Sequence, residues 1–305
     1  MIDILSKRYY YFLFSLLVII PGLAFLAIDG LPLSIDFTGG SLLEVQFEAG
    51  KSPATEEIIA VYEDAGIDDA QVTTTETGAL IIRSSFLTNE IRDQILTAMN
   101  ETAGSEANVI QFDSVGPSIG AQVASRAALA VGVAALGVII YITLAFRKVQ
   151  NAFRYGICAI IAMVHDVAVV FSIAGIGARY FDWQMDALFL TALLTVIGFS
   201  VQDKVVVFDR IRENTNLLRK LEYEKLVNHS IVQTLQRSIN TQLMTVEFLL
   251  LALALFGGIT LQEFAVILLV GLLSGTYSSI FVAAPILVLW ENQEWQTWFG
   301  RGANA

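Results

Sequence analysis

Six long apolar runs, interrupted once by a stretch of alternating pattern, set out the plan of this chain. Residues 9–28, 127–146, 155–178, 187–208, 231–256 and 264–290 reach the roughly 20 apolar residues that a helix needs to cross hydrocarbon. Ala24 and Ala27, near the end of the first run, admit a signal peptide as the alternative. That run of 20 residues exceeds the roughly 7–15 of a signal h-region, so a retained anchor is expected. The pattern therefore predicts a polytopic α-helical membrane protein with six transmembrane helices.

The alternating stretch predicts an α+β domain of residues 30–118 between helices one and two. Leu43, Val45 and Phe47 alternate with Glu44, Gln46 and Glu48, the period of a half-buried strand. Ser52-Pro53 reads as an N-cap followed by proline at the first helical position. The helix then lines up Ala54, Ile58, Val61, Tyr62 and Ala65 and stops at Gly66. Residues 70–75 and 79–84 flank Thr77-Gly78 as a hairpin. Thr88 caps a second helix carrying Ile91, Ile95 and Met99, and residues 108–114 form a last strand. The order βαββαβ is ferredoxin-like. Gly116-Pro117 separates this domain from the membrane region. The division expected is 1–29 for the N-terminus and first helix, 30–118 for the domain, 119–290 for helices two to six, and 291–305 for the tail.

Charge then orients the chain. Between Gly30 and Ser118 there are 15 acidic residues and three basic ones. Basic residues gather at Lys7/Arg8, at Arg147, Lys148 and Arg154, and in the charged segment 209–230. The positive-inside bias puts both termini in the cytoplasm and the acidic domain outside. With one cysteine, Cys158, no intrachain disulfide forms. His165, His229 and that cysteine make no metal-ligand set, so no metal and no cofactor are expected. Nothing suggests nucleic-acid binding, and the domain holds no catalytic cluster, so the chain does not read as an enzyme.

The chemistry gathers at 191–214, TALLTVIGFSVQDKVVVFDRIREN, where Asp203 and Lys204 stand inside an apolar run. Ionisable groups there cost roughly 2.5–3.5 kcal/mol each on insertion scales, and by default mark function. The alternative is a membrane boundary near Gly198. Against it, Val205 to Phe208 restore apolarity, and Asp209, Arg210 and Arg212 look like the inner boundary. On a helical wheel Thr191, Thr195, Gly198 and Gln202 form one stripe, with Phe199 and Asp203 about 100° away. In the fifth run Gln233, Arg237, Asn240, Met244 and Glu247 form a second polar stripe; snorkelling accounts for its first members but does not reach Glu247. Burial disfavours a charged carboxylate and a nearby arginine favours it. Asp203 opposed by a movable Arg237 is thus suited to gain and lose a proton. His165-Asp166 in the third run is either a second relay or a hydrogen-bonded packing pair. Gly271-xxx-Gly275 with Ser278 reads as a packing face.

At these residues the chain resembles the SecF proteins of the SecD/SecF family, relatives of the RND-type proton-driven transporters. The resemblance rests on five segments: IDFTGG at 35–40, VHDV at 164–167, VVVFDRIREN at 205–214, SIVQTLQRS at 230–238 and GTYSSIF at 275–281. Its signature positions include Asp36, Gly39, Gly40, Asp209, Arg210 and Arg212. The resemblance implies an accessory subunit of the Sec translocase in the bacterial inner membrane. Its partners would be SecD, the SecYEG channel, functionally SecA, the translocating preprotein and membrane lipid, with YajC and YidC as further associates. It also implies use of the proton-motive force in export, with proton conduction carried over to Asp203 and Arg237. The chain departs from the family where Gln202-Asp203-Lys204 replaces a small polar triplet and where Glu247 replaces a small hydroxyl residue. Lys204 then faces inward, where its ammonium would favour the ionised form of Asp203, snorkels to the inner surface, or pairs with Glu247. Two other readings compete: half of an RND-type small-solute exporter, for which the domain is too small, and a passive assembly factor.

Overall fold

The computed structural model describes residues 3–48, 52–75, 78–147, 152–242, 248–256 and 259–294. Thr77, Met244, Glu247, Gly257-Gly258 and residues 295–305 therefore lie outside the described residues. The protein is mostly helical, with one small antiparallel sheet. The chain divides into two units, Met1–Pro32 with Ala130–Ala305, and Leu33–Leu129.

In the second unit the order is α2 (Ile35–Thr38), β1 (Gly40–Gln46), α3 (Thr55–Asp64), β2 (Gln71–Thr74), β3 (Leu80–Ser84), α4 (Asn89–Ala103) and β4 (Asn108–Val115). The strands pair antiparallel in the order β2-β3-β1-β4. Leu43 sits in the middle of the sheet, opposite Ile82 on one side and Phe112 on the other. The period-2 pattern of β1 buries Leu43, Val45 and Phe47 against Ile58, Tyr62, Ile95 and Met99 of the two helices. One local expectation fails. Ser52-Pro53 does not open α3, whose N-cap is Ala54. The Glu57 carboxylate accepts the Ala54 N–H at 3.0 Å, so an acidic side chain three residues on does the capping.

The glycine pair before β1 is dictated by close approach. Gly39 and Gly40 have φ of 75° and 127°, and a Cβ on Gly39 would lie 2.7 Å from Pro117 Cα. One on Gly40 would lie 2.7 Å from the Ser84 carbonyl oxygen. Only glycine combines that backbone with that clearance. Pro117 does not stop the chain from becoming helical. It is the first residue of α5 (Pro117–Phe146), where its missing N–H costs nothing.

The first unit contains α1 (Arg8–Asp29), most of α5, α6 (Ala152–Phe181), α7 (Ala187–Leu217), α8 (Tyr223–Gln242), α9 (Phe248–Phe256), α10 (Ile259–Ser278) and α11 (Ala284–Glu291). Among the described residues, five helices are long and apolar enough to cross a membrane: Leu5–Asp29, Pro117–Phe146, Ala152–Phe181, Ala187–Leu217 and Leu261–Glu291. The fifth apolar run of the sequence falls on α8 and α9, on either side of 243–247. A π-helical turn, Ser279–Ala283, joins α10 to α11. Pro285, the second residue of α11, has no N–H for the preceding turn, a local reason for the widened register.

Small residues let these helices approach. A Cβ on Gly22 of α1 would lie 1.9 Å from the Ser172 carbonyl oxygen of α6. A Cβ on Gly271 of α10 would lie 2.3 Å from Val196 Cγ2 of α7, and one on Gly275 would lie 3.3 Å from Ser200 Cα. The Gly271-xxx-Gly275 face thus sets α10 against α7, the small-residue packing common in membranes.

Candidate functional site

Three helices converge on Asp166. Ser200 and Lys204 are one turn apart on α7, and Ser274 and Ser278 are one turn apart on α10, so each pair presents a single face to α6. The Asp166 carboxylate is fully buried and accepts from all four. Oδ2 takes Lys204 Nζ at 2.7 Å, the Ser200 hydroxyl at 2.6 Å and the Ser278 hydroxyl at 2.7 Å. Oδ1 takes the Ser274 hydroxyl at 2.8 Å and faces His165 Nδ1 at 3.1 Å. Lys204 also donates to the Ser200 carbonyl at 2.9 Å and to Ser200 Oγ at 2.5 Å, which occupies its three N–H bonds. The snorkelling expectation for Lys204 is therefore corrected. Its side chain is 0% exposed and does not reach the surface, and its counter-charge is Asp166. Glu247 lies outside the described residues.

Asp203 is one residue from Lys204, hence about 100° round the helix, and looks elsewhere. It is 9% exposed. Oδ1 accepts from the Ser238 hydroxyl of α8 at 2.7 Å, and Oδ2 from the Ser279 hydroxyl of the π-turn at 2.8 Å. Neither partner carries charge. Arg237, the neighbour of Ser238, is exposed and lines a cavity of about 480 Å³ with Val206, Asp209, Glu213 and Gln233. The two buried carboxylates thus differ in kind: Asp166 is clamped by an ammonium, whereas Asp203 is held by neutral hydroxyls.

His165 stacks on Tyr277, with ring centroids 6.1 Å apart. Its Nε2 is buried without a hydrogen-bond partner among the described residues. The serines were not singled out from the sequence, Ser278 aside as a packing residue. Their signal was Ser200 four residues before Lys204, and Ser274 four before Ser278, on otherwise apolar helices.

Comparison with known proteins decides the family. The family described as "Protein export membrane protein SecD/SecF, C-terminal" matches residues 95–293, and the SecD/SecF GG motif matches residues 24–51. The chain belongs to the SecD/SecF family. It is 67% identical to the protein translocase subunit SecF of Anaerolinea thermophila, over 99% of this chain and 98% of that protein. It is 34% identical to the protein translocase subunit SecDF of Bacillus subtilis, covering 96% of this chain and 38% of that protein. The crystal structure of SecDF from Thermus thermophilus, described as a translocon-associated membrane protein, superposes with a TM-score of 0.80 at 32% identity. That superposition covers 95% of this chain and 39% of the solved one.

The remaining family-signature positions fall at two places. Asp36, Gly39 and Gly40 belong to the tight connection from α2 into β1. Asp209, Arg210 and Arg212 lie on the later turns of α7, where Arg210 pairs with Glu213 and Arg212 with Asp209, each at 2.5 Å and each partly exposed. Such pairs contribute little stability.

Proposed function

We propose that this chain is an accessory subunit of the Sec preprotein translocase and that, with SecD, it uses the proton-motive force to promote export through SecYEG. It performs no covalent chemistry. Asp203 is the residue that gains and loses the proton, and Arg237 lines the approach to it from the cytoplasmic side. The observation that carries this reading is the surroundings of Asp203, a carboxylate midway along a membrane-length helix held, among the described residues, by two serine hydroxyls and no cation. A hydroxyl can donate to the ionised form or accept from the protonated one, so both states are satisfied without repacking. Asp166 has a counter-charge already in place. We assign it and His165 to the support of the site rather than to the proton path.

Six membrane helices complete the subunit, the fifth drawn from the apolar run that holds α8 and α9. The strand order β2-β3-β1-β4 with two helices supports a ferredoxin-like domain at 30–118, placed outside the cytoplasm. Both termini are cytoplasmic. Arg8 bonds Glu224 at 2.9 Å and Glu294 at 2.7 Å, bringing the start of α1, the start of α8 and the end of the described chain to one face. SecD as partner is supported by relatives in which the two are fused as SecDF. SecA and the preprotein complete the working assembly.

The test is export into inverted membrane vesicles after ATP-driven insertion, with and without a proton gradient. In Asp203→Asn, expressed at the normal level, the gradient-dependent component disappears and the ATP-driven component stays. Undiminished gradient-dependent export in that variant would reduce the subunit to a passive assembly factor.

A further inference from the structure

The two carboxylates are joined by adjacent residues of one helix end. Ser278, the last residue of α10, donates to Asp166, and Ser279, the first of the π-turn, donates to Asp203. Ser279 Oγ also lies 2.8 Å from the Thr276 carbonyl oxygen, the same distance as from Asp203 Oδ2. A hydroxyl has one hydrogen, so only one of these acceptors receives it at a time. Ser238, the other partner of Asp203, sits on the regular helix α8.

We propose that Ser279 is the positioning residue through which the charge of Asp203 reaches the backbone of the π-turn. This rests on the reading of Asp203 as the group that changes protonation. Ionised Asp203 draws the Ser279 hydrogen to itself. When Asp203 takes up a proton, its own O–H donates to Ser279 Oγ, and the serine hydrogen turns to the Thr276 carbonyl. No other atom need move for the exchange. The carbonyl that receives the new bond belongs to the last turn of α10, next to a π-turn whose backbone bonds have already left the i→i−4 register. A change of charge at α7 thereby becomes a change of hydrogen bonding where α10 gives way to α11. Among the described residues, the charged and titratable neighbours leave this route clear. Lys204 turns from Asp203 onto Asp166 of α6, His165 stays with Asp166, and Arg237 of α8 opens to the cavity beside Asp209. The α10 end contributes Tyr277, whose hydroxyl donates to the Tyr11 carbonyl oxygen at 2.8 Å.

The experiment uses the full chain in lipid nanodiscs, with two readouts. The first is modification of Asp203 by an apolar carbodiimide, which attacks protonated carboxyls, with Asp203→Asn as the blank. Ser279→Ala removes a donor that favours the ionised form, so modification at neutral pH quickens about tenfold. Ser279→Thr restores the wild-type rate. The second readout is hydrogen exchange of amides 279–283 at acidic and neutral pH. Protection, the exchange rate relative to the intrinsic rate at the same pH, changes with pH in the wild type and in Ser279→Thr, while in Ser279→Ala it does not. Ser238→Ala also quickens modification but leaves the pH response of the π-turn in place. Wild-type modification of Ser279→Ala, or a retained pH response of its π-turn, would overturn the proposal. Normal gradient-dependent export by Asp203→Asn strikes instead at the reading on which it rests. An Asp203 that resists carbodiimide at every pH in the wild type overturns both.

Discussion

Replacing Lys204 with methionine separates a clamp from a switch. The Lys204 and Asp166 side chains are 0% and 1% exposed. Methionine fills most of the aliphatic volume, so the loss is that of the ammonium. Removing one partner of a buried ion pair costs about 3–5 kcal/mol, because the other charge is left without compensation. Asp166 would keep the hydroxyls of Ser200, Ser274 and Ser278, which places Lys204→Met near the lower end, about 3 kcal/mol. Asp166→Asn, which strands the ammonium, should cost about as much. With both charges gone neither penalty remains, so the double variant should be more stable than the sum of the singles predicts by about 2 kcal/mol. Asp203→Asn should cost about 1 kcal/mol or less, since it leaves no counter-charge stranded. The assay is reversible unfolding in mixed micelles, with an increasing share of denaturing detergent, read by helical circular dichroism over the four members of the cycle. Single costs that add to within about 0.5 kcal/mol in the double variant would show that the two charges do not interact. The clamp would then be refuted, and with it the contrast between Asp166 and Asp203.

Two more outcomes test the frame around the site. Gly271→Leu drives a side chain into Val196 and Val170, so it should push α10 off α7 at a cost of about 1–3 kcal/mol in the same unfolding assay, and weaken gradient-dependent export. Glu294 is partly buried, which by itself would raise its carboxyl, but hydrogen bonds from Arg8, Asn292 and Tyr9 outweigh this and hold it below the usual glutamate range. A lowered folded value means that this stability is present above the ordinary glutamate range and is lost as pH falls through the lowered one. In Arg8→Ala much of that acid-side loss should vanish, with lower stability at neutral pH, as unfolding midpoints measured from neutral to acidic pH would show.

Much of the site was legible as separate pieces. Asp203, Lys204 and Asp166 stood out because an ionisable group in an apolar run is costly and needs a partner. Which partner was not legible. Arg237, the expected counterpart of Asp203, opens instead to a cavity, and Lys204 meets Asp166. A stripe records which residues share a face, not what stands across from it. Serine escaped for a related reason: a short hydroxyl on an apolar helix can bond back to its own backbone, so its presence alone signals nothing. Ser230 does this toward the Leu226 carbonyl oxygen, whereas Ser200, four residues before a lysine, reaches Asp166. The start of α3 was misplaced because Ser52-Pro53 carries a strong local signal that Glu57, reaching back to Ala54, overrides.

The apolar helices, the strands and helices of the small domain, its acidic character and the family follow from the amino-acid order alone, because periodicity, length and motif are properties of neighbouring residues. That Lys204 belongs to Asp166 and that serines hold Asp203 emerges from the packing of the helices. Asp166 and Lys204 are 38 residues apart, and Asp166 and Ser278 are 112 apart. Those contacts exist because Gly271 and Gly275 let α10 press against α7, and side chains on three helices then meet at a distance that no local pattern encodes.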